Sequence, residues 1–317
     1  MLHIFEVTLP FFALVLAGFL AVRQRWLPLD AITGLNSFVL FFALPAMLYR
    51  FGSTTPIARL LDASVFSVYL VCALVMVGLA MVLSLNERIR WNDAAFGALV
   101  ATYPNNGFMG VPLLAALLGP QSVGTVIVAV MVDMVFTSSL CIALSRLAMG
   151  ERGAWGAMRQ VLRGVLANPL PWAMLLGALA SATGLRLPQP VEQTVGMLAD
   201  AASPVALFTI GAVLARAQLQ SGHPLPARDY LPLVAMKLLL HPLLLWGAGR
   251  LAQHAGLPLS SETLLALVLI GALPSASNVA IQAERYGADT GRVARIILVS
   301  TALAFLTFSG AVAVLRG

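Results

Sequence analysis

Long apolar windows separated by short polar connections occupy the chain from end to end. Ten windows are bounded by charged residues or by Gly and Pro, and they cover residues 4–22, 31–49, 63–85, 93–118, 121–146, 167–184, 189–215, 229–250, 260–283 and 290–315. A helix needs about 20 mostly apolar residues to cross the hydrocarbon core of a bilayer, and windows of 17–25 residues are typical. The pattern therefore predicts an all-α integral membrane protein with ten transmembrane helices.

The composition agrees with that prediction and limits the classes of function that the chain can have. Of the 317 residues, 60% are hydrophobic and 10% are charged, whereas a soluble domain carries about 25% charged residues. Cys72 and Cys141 lie inside apolar windows, without metal or disulfide spacing, and are expected to be inert core residues. We find no zinc pattern, no phosphate-binding glycine loop and no nucleophile–base set, so neither a metal nor an enzymatic function is expected.

Arginines are distributed unevenly between the two ends of the predicted helices. The odd-numbered loops carry 13 arginines, against 5 for the even-numbered loops and the C-terminal end. Because positive loops stay on the cytoplasmic side, both termini are predicted outside and the central loop in the cytoplasm, which would suit a bacterial inner membrane. The first window, 4–22, has no basic residues before it and is followed by Arg23 and Arg25, so it is interpreted as a retained helix.

The two halves of the sequence resemble each other. A shift of 159 positions aligns three Pro or Gly positions and a shift of 170 aligns a fourth: Pro10 with Pro169, Gly18 with Gly177, Pro45 with Pro204, and Pro104 with Pro274. Five spans per half is an odd number, so the second copy would enter the membrane in the opposite orientation, giving a 5+5 inverted repeat. We predict repeats at 1–149 and 167–317, joined by a cytoplasmic linker at 150–166 that is either a surface amphipathic helix or a solvated loop.

Two prolines, Pro104 and Pro274, interrupt the fourth and ninth windows near their middles, and small and amide side chains follow each of them. Proline lacks a backbone donor and clashes with the preceding turn, so each helix is expected to open there. Opened backbone at membrane depth is tolerated only where it packs inside protein or lines a cavity. Paired breaks in corresponding positions of two repeats indicate the binding site of a transporter.

Several short motifs together resemble the auxin efflux carrier family. They are Leu35–Val39 with Phe42–Ala46, Asn105–Leu113, Asn168–Leu170 with Gly177, Ser203–Phe208 with Gly211, Lys237–Leu243, and Pro274–Asn278 with Tyr286–Gly287, in the second, fourth, sixth, seventh, eighth and ninth spans. The resemblance covers nearly the whole chain. The short central loop lacks the long hydrophilic insertion of many plant members, so auxin itself is not implied as the substrate.

This resemblance implies a bacterial-type transporter with a fold similar to bile-acid/sodium symporters, in which broken helices 4 and 9 cross. Helices 1, 2, 6 and 7 would form a scaffold, and helices 3–5 and 8–10 would form the moving part. It also implies transport of a carboxylate, such as malonate or an aromatic acid, and a homodimer in the lipid bilayer. No cofactor is implied, although transport would be coupled to H⁺ or Na⁺ if the anion is taken up.

The residues around the breaks are the candidate substrate-binding residues: Asn105, Asn106, Gly107, Ser275, Ser277 and Asn278. Asparagine amides either satisfy backbone groups freed by the break or contact the substrate or an ion. A helix N-terminus carries about +0.5 of a charge and favours an anion. Each break also exposes a helix C-terminus of opposite sign, so helix dipoles alone leave the polarity of the substrate open.

Four ionisable residues lie inside predicted spans: Asp133, Asp200, Lys237 and His241. Charges at mid-membrane are costly, so each is expected to face protein or a cavity. Asp133 and Lys237 either pair with each other, or Asp133 is a proton or cation site and Lys237 is a counter-charge to the substrate; with His241 they are the candidates for ion or proton coupling. His241 is expected to be a packed, hydrogen-bonded core residue, with a proton relay as the alternative, and Asp200 is a candidate for stabilising the kink at Pro204.

We therefore predict a secondary transporter that moves a small organic anion by alternating access. The nearest alternative is a sodium-coupled symporter of the bile-acid type, with oxygen ligands clustered at the breaks. A channel or ligand-sensing membrane protein belongs to a different class, and it would show a continuous polar helix face that this sequence lacks. An integral membrane enzyme would need converging catalytic groups.

Overall fold

The structure is a computed structural model that describes residues 2–54, 62–147, 169–220 and 225–316. Within those residues the chain is helical: α1 (Leu2–Arg23), α2 (Ala31–Thr54), α3 (Ala63–Ser84), α4a (Trp91–Thr102), α4b (Asn106–Leu118), α5 (Pro120–Arg146), α6 (Pro169–Thr183), α7 (Gln189–Gln220), α8 (Leu231–His254), α9a (Ser261–Ala272), α9b (Asn278–Arg285) and α10 (Thr290–Arg316). These helices fall on the ten predicted apolar windows.

Six helices in the described part of the chain are long and apolar enough to cross a membrane, namely α2, α3, α5, α7, α8 and α10. The shorter apolar helices are Leu9–Arg23 of α1, α4b, Trp172–Thr183 of α6, and α9a. The length criterion therefore identifies four fewer spans than the ten predicted. Two windows are each divided by a break, and the apolar segments found in α1 and α6 are shorter than the criterion requires. The predicted linker 150–166 lies outside the described residues.

Both predicted breaks are present, and they are joined to each other. Tyr103–Asn105 separates α4a from α4b, and residues 273–277 separate α9a from α9b. The Asn105 N–H donates to the Pro274 carbonyl (2.8 Å), and the Ala276 N–H donates to the Tyr103 carbonyl (3.0 Å). This reciprocal pair forms a short antiparallel bridge centred on Pro104 and Ser275. Backbone groups that the prolines free are thus satisfied by the other break, which meets the requirement for irregular backbone at membrane depth.

Prolines also explain three π-helical turns, in α2, α4b and α8. In each, the residue before a proline donates its N–H to the carbonyl five positions back: Leu44 to Val39 before Pro45, Val111 to Asn106 before Pro112, and His241 to Met236 before Pro242. The missing proline N–H leaves a gap in the regular ladder, and the wider turn absorbs it. A fourth π-turn, Asp133–Thr137 in α5, is followed by serines instead of proline.

Glycine allows α1 and α7 to pack backbone against backbone. A Cβ added at Gly18 would overlap the carbonyl oxygen of Phe208, and one added at Gly211 would overlap that of Val15. The pair α2 and α6 packs in the same way, with Gly177 against the Tyr49 carbonyl and Gly52 against that of Met174. Each residue of the α1–α7 contact has a counterpart in the α2–α6 contact that lies 159 positions away in the sequence. The pairs are Val15 and Met174, Gly18 and Gly177, Tyr49 and Phe208, and Gly52 and Gly211.

We expect Gly211→Ala to destabilise the protein, because its methyl group has no space unless α1 and α7 separate. Overpacking of this kind costs about 1–3 kcal/mol. The matched control is Gly78→Ala in the middle of α3, where a Cβ meets nothing within 4 Å and Ala is favoured over Gly by about 0.8–1 kcal/mol. Thermal unfolding in detergent should rank Gly78→Ala at or above wild type and Gly211→Ala clearly below it. Equal midpoints for the two variants would contradict the packing.

Arg292 joins the ends of four helices in the remaining group, which comprises α3–α5 and α8–α10. It is 3% exposed, and its guanidinium donates to the Asp229 carbonyl (2.7 Å), the Asp93 carbonyl (3.0 Å) and Ser84 Oγ (3.2 Å). One arginine of the positive loops is therefore a buried structural residue, although it was counted as a surface charge.

The expectation that every ionisable residue within a span faces protein is wrong for Asp200. Its side chain is 72% exposed and forms an ion pair with Arg50 (2.7 Å), which joins α7 to α2. An exposed pair of this kind contributes about 0–1 kcal/mol. Asp200 thus stabilises a helix contact at the surface of the protein.

Candidate functional site

A cavity of about 240 Å³ lies where the two breaks meet. One wall is formed by the breaks themselves and includes Asn105, Asn106, Gly107, Ser277 and Asn278. A Cβ added at Gly107 would meet nothing within 4 Å, so the absence of a side chain there leaves the cavity open. Five of the six predicted substrate-binding residues are therefore brought together on one surface.

The opposite wall comes from helices outside the breaks. Thr33 and Asn36 lie three residues apart on α2, and Val213 and Arg216 lie three residues apart on α7, so each pair shares a helix face. Arg216 is the only charged residue among the described residues that line the cavity. The cavity is therefore polar at the breaks and cationic on α7.

Ser275 is the predicted site residue that the cavity does not include. It is fully buried, and its N–H donates to Ser300 Oγ on α10 (3.2 Å). Its position at the centre of the antiparallel bridge makes it a packing residue of the break. The small neighbouring residues matter for the same reason, since a Cβ at Gly110 would approach Leu273 to 2.9 Å.

The asparagines do not cap the half-helices with their side chains, contrary to one interpretation of the sequence. Asn105 occupies the N-cap position of α4b without a side-chain hydrogen bond. Asn106 Nδ2 donates instead to Asp133 Oδ2 (2.7 Å). The first break is thereby connected to a carboxylate on α5 that lies behind the cavity wall.

Asp133 is fully buried and accepts hydrogen bonds from three helices. Besides Asn106, the donors are Tyr69 Oη on α3 (2.8 Å) and Thr137 Oγ1 one turn further along α5 (3.1 Å). Three donors fit a carboxylate, which has about four lone-pair sites and no hydrogen to donate. Asp133 therefore fixes the orientation of the Asn106 amide, and Tyr69 is a member of the site that the sequence analysis did not identify.

Lys237 occupies a different position from the one proposed for a counter-charge to the substrate. It is fully buried, and its Nζ donates to the Gly271 carbonyl in the last turn of α9a (2.8 Å) and lies 3.0 Å from His241 Nδ1. A cationic group at a helix C-terminus offsets the partial negative charge of the helix end. Lys237 thus compensates the negative end of α9a directly before the second break.

The proposed ion pair between Asp133 and Lys237 is not among the contacts of the described residues, where the ion pair found is that of Arg50 with Asp200. The two groups are linked indirectly, because the ring of Tyr69 packs 6.1 Å from that of His241. His241 is fully buried and hydrogen-bonded, as expected of a core residue. Hydrogen bonds thus join Asn106, Asp133 and Tyr69 in one group and His241 with Lys237 in another, and the two groups meet through this ring contact.

Some buried polar atoms at the breaks have no partner among the described residues. They include Asn105 Nδ2, Asn106 Oδ1 and Asn278 Oδ1. Buried polar groups are normally hydrogen-bonded, so each exception calls for an explanation. All three belong to residues that line the cavity, so the cavity wall contains polar groups whose hydrogen-bonding capacity the described residues leave unused.

Long apolar helices and a cavity with polar groups at two joined helix breaks define the chain as a membrane transport protein. Comparison with known proteins identifies the family. Residues 3–312 match the family described as "Membrane transport protein". The chain is 30% identical to the "Putative malonate transporter" of Rhizobium meliloti (strain 1021), an alignment that covers 100% of this chain and 97% of that protein.

Two further relatives extend the comparison. The chain is 29% identical to the "Uncharacterized transporter YfdV" of Escherichia coli (strain K12), over 89% of this chain and 88% of that protein. It is 22% identical to "Auxin efflux carrier component 8" of Arabidopsis thaliana, over 67% and 72% of the respective chains. The chain belongs to the membrane transport protein family, in which auxin efflux carriers are found. The resemblance inferred from the sequence motifs is thus confirmed.

Proposed function

We propose that this protein is a secondary transporter that moves a small organic anion across the membrane by alternating access. The observation that carries the proposal is the cavity at the joined breaks, lined by Asn105, Asn106 and Asn278, whose side chains include buried polar atoms without partners among the described residues. Broken helices that place such groups inside a membrane protein are characteristic of transporter binding sites.

An anionic substrate is favoured by the charges around the breaks. The N-terminal residues of α4b and α9b, Asn106 and Asn278, line the cavity, and helix N-termini attract negative charge. The opposing negative end of α9a is compensated by Lys237 at the Gly271 carbonyl. The lining contains no acidic residue among those described, because Asp133 is held behind the wall by Asn106. These charges support an anionic substrate, although the helix dipoles alone left the polarity open.

The size of the cavity favours a short carboxylate over an aromatic acid. Pockets for drug-sized ligands measure about 300–1,000 Å³, and this cavity measures about 240 Å³. A relative with 30% identity carries the name "Putative malonate transporter". We therefore propose a small, malonate-like carboxylate as the substrate.

We further propose ten transmembrane helices in a 5+5 inverted repeat, with helices 4 and 9 crossing at the breaks. The glycine contacts of α1 with α7 and of α6 with α2, which occur at positions related by 159 residues, support the repeat. In this proposal α1, α2, α6 and α7 form a homodimeric scaffold, and the other helices move. Both termini lie outside the inner membrane, because the arginine-rich loops face the cytoplasm.

Alternating access requires the moving group to shift against the scaffold, and the cavity lies between the two groups. Its walls come from the breaks on one side and from α2 and α7 on the other. Movement of the breaks past α2 and α7 would expose the same residues to the other side of the membrane. This arrangement favours a transporter over a channel or a sensor.

Ligand-dependent stability of the purified protein tests the proposal directly. A ligand present at about 100 times its dissociation constant stabilises the folded state by about 2.7 kcal/mol. We expect malonate to raise the thermal unfolding midpoint and the indole-bearing acid auxin to have a smaller effect. Labelled malonate should also exchange across proteoliposomes that contain the protein. If no short carboxylate stabilises the protein and none exchanges across the proteoliposomes, the proposed function is contradicted.

A sodium-coupled symporter is the second candidate, and one observation favours it. Asn106 Oδ1 and Asn278 Oδ1 are buried oxygens without donors, and oxygen atoms are the ligands that hard cations prefer. Malonate uptake that requires a sodium gradient, with no response to a proton gradient, would select this alternative.

A further inference from the structure

We propose that Arg216 is the residue that recognises a second carboxylate, so that the transporter selects dicarboxylates over monocarboxylates. This inference rests on the proposed function, because it adds a second anchoring point to the same cavity. Arg216 lies four residues before the end of α7 and is partly buried. By its position it would be counted as a loop charge at the membrane surface, but its side chain lines the cavity with the breaks.

The guanidinium of Arg216 has no structural task among the described residues. Among the described residues it forms no ion pair and no hydrogen bond, whereas Arg50 pairs with Asp200 and Arg292 is bonded to three groups. Arginine presents a planar set of donors that matches a carboxylate in two parallel bonds. An unpaired arginine facing a cavity without acidic groups is suited to an anionic ligand.

Arg216 and the breaks belong to separate walls of the cavity. The breaks offer helix N-termini and the free amide of Asn105, while α7 offers Arg216, with Asn36 of α2 as a further polar neighbour in the cavity. A single carboxylate held at the breaks would leave the guanidinium unpaired. A molecule with a carboxylate at each end and a short apolar linker uses both walls, and the apolar Leu40 and Val213 in the lining suit such a linker.

The experiment compares malonate with propionate, which has the same three-carbon chain but a single carboxylate. Binding of each to purified protein is measured by competition against labelled malonate. We expect wild type to prefer malonate, and Arg216→Gln to lower malonate affinity about 10- to 100-fold, since hydrogen bonds to charged groups contribute about 1.5–3 kcal/mol. Propionate affinity should change less than about threefold. Arg216→Lys keeps the charge but loses the paired geometry, so we expect an intermediate affinity for malonate.

The control is Arg88→Gln, which removes an exposed arginine from the connection between α3 and α4a. It should bind malonate as wild type does. An Arg216→Gln variant that lowers both affinities equally, or neither, would overturn the role of Arg216 while leaving the proposed function intact. If wild type binds no carboxylate, the proposed function itself fails. Should Arg216→Gln unfold, the malonate-to-propionate ratio of Arg216→Lys decides, and an unchanged ratio overturns the inference.

Discussion

Truncating the Asn105 and Asn278 side chains together should abolish carboxylate transport while the protein stays folded. Both residues line the cavity, Asn105 Nδ2 is a buried donor without a partner among the described residues, and neither side chain caps its half-helix. Each amide that contacts a charged group contributes about 1.5–3 kcal/mol. Loss of two such contacts should reduce malonate exchange in proteoliposomes more than 100-fold.

The same geometry explains why folding should survive. The reciprocal bonds between the breaks use the Asn105 N–H with the Pro274 carbonyl and the Ala276 N–H with the Tyr103 carbonyl, and all four are backbone groups. Alanine keeps them. Gln24→Ala, an amide truncation at an exposed position after α1, serves as the control and should transport normally. Wild-type exchange by the double variant would remove these asparagines from the binding site.

Replacing Asp133 with asparagine should abolish uptake driven by a cation gradient. Asp133 is the only fully buried acidic residue in the described part of the chain, and the charged or titratable groups of its network are Tyr69, Lys237 and His241. Uptake of a dianion against 100 mV costs about 4.6 kcal/mol, because each charge costs about 2.3 kcal/mol. Uptake therefore requires a co-transported cation or proton, and Asp133 is the first candidate to bind it.

Asparagine in place of Asp133 also presents an NH₂ group where Tyr69, Asn106 and Thr137 all donate. The Asn106 amide would lose its fixed orientation, so we expect malonate exchange at zero gradient to fall about tenfold. Gradient-driven uptake should fall to background. Asp200→Asn, which removes an exposed acid from α7, should retain both activities. Gradient-driven uptake at wild-type levels in Asp133→Asn, or a wild type that ignores both proton and sodium gradients, would exclude coupling through Asp133.

Much of the architecture could be predicted because its causes are local. The apolar windows are defined by length and composition, and each break follows from a proline that removes one N–H from a helix. Pairing of the two breaks was expected from the family resemblance, which implies that helices 4 and 9 cross there. The structure supplies the bonds that join them, Asn105 to Pro274 and Ala276 to Tyr103.

The partners of the charged residues could not be predicted, since they depend on how distant helices pack. Asp133 and Lys237 have opposite charges and similar depth, so a direct pair was the simplest hypothesis. Lys237 instead reaches the end of α9a, and Asp133 receives Tyr69 and Asn106. Nothing in the sequence near Lys237 identifies Gly271 as its acceptor.

Arg216 was missed for a different reason. Counting arginines assigns those near helix ends to the membrane surface, and that rule does not consider which face of the helix they occupy. Arg216 shares a face with Val213, and this face lines the cavity. The family-like segment Ser203–Phe208 and Gly211 lies on the same helix as Arg216. Continuing the helical register of that segment to Arg216 was the signal available in the sequence.

The most direct test of the central claim is a side-chain-resolution structure of the protein in lipid nanodiscs with malonate bound. We predict that residues 103–105 and 273–277 will be non-helical and hydrogen-bonded to each other, with the anion between the breaks and α7. Continuous helices through Pro104 and Pro274, breaks lying apart, or malonate bound at a distant surface would contradict the account.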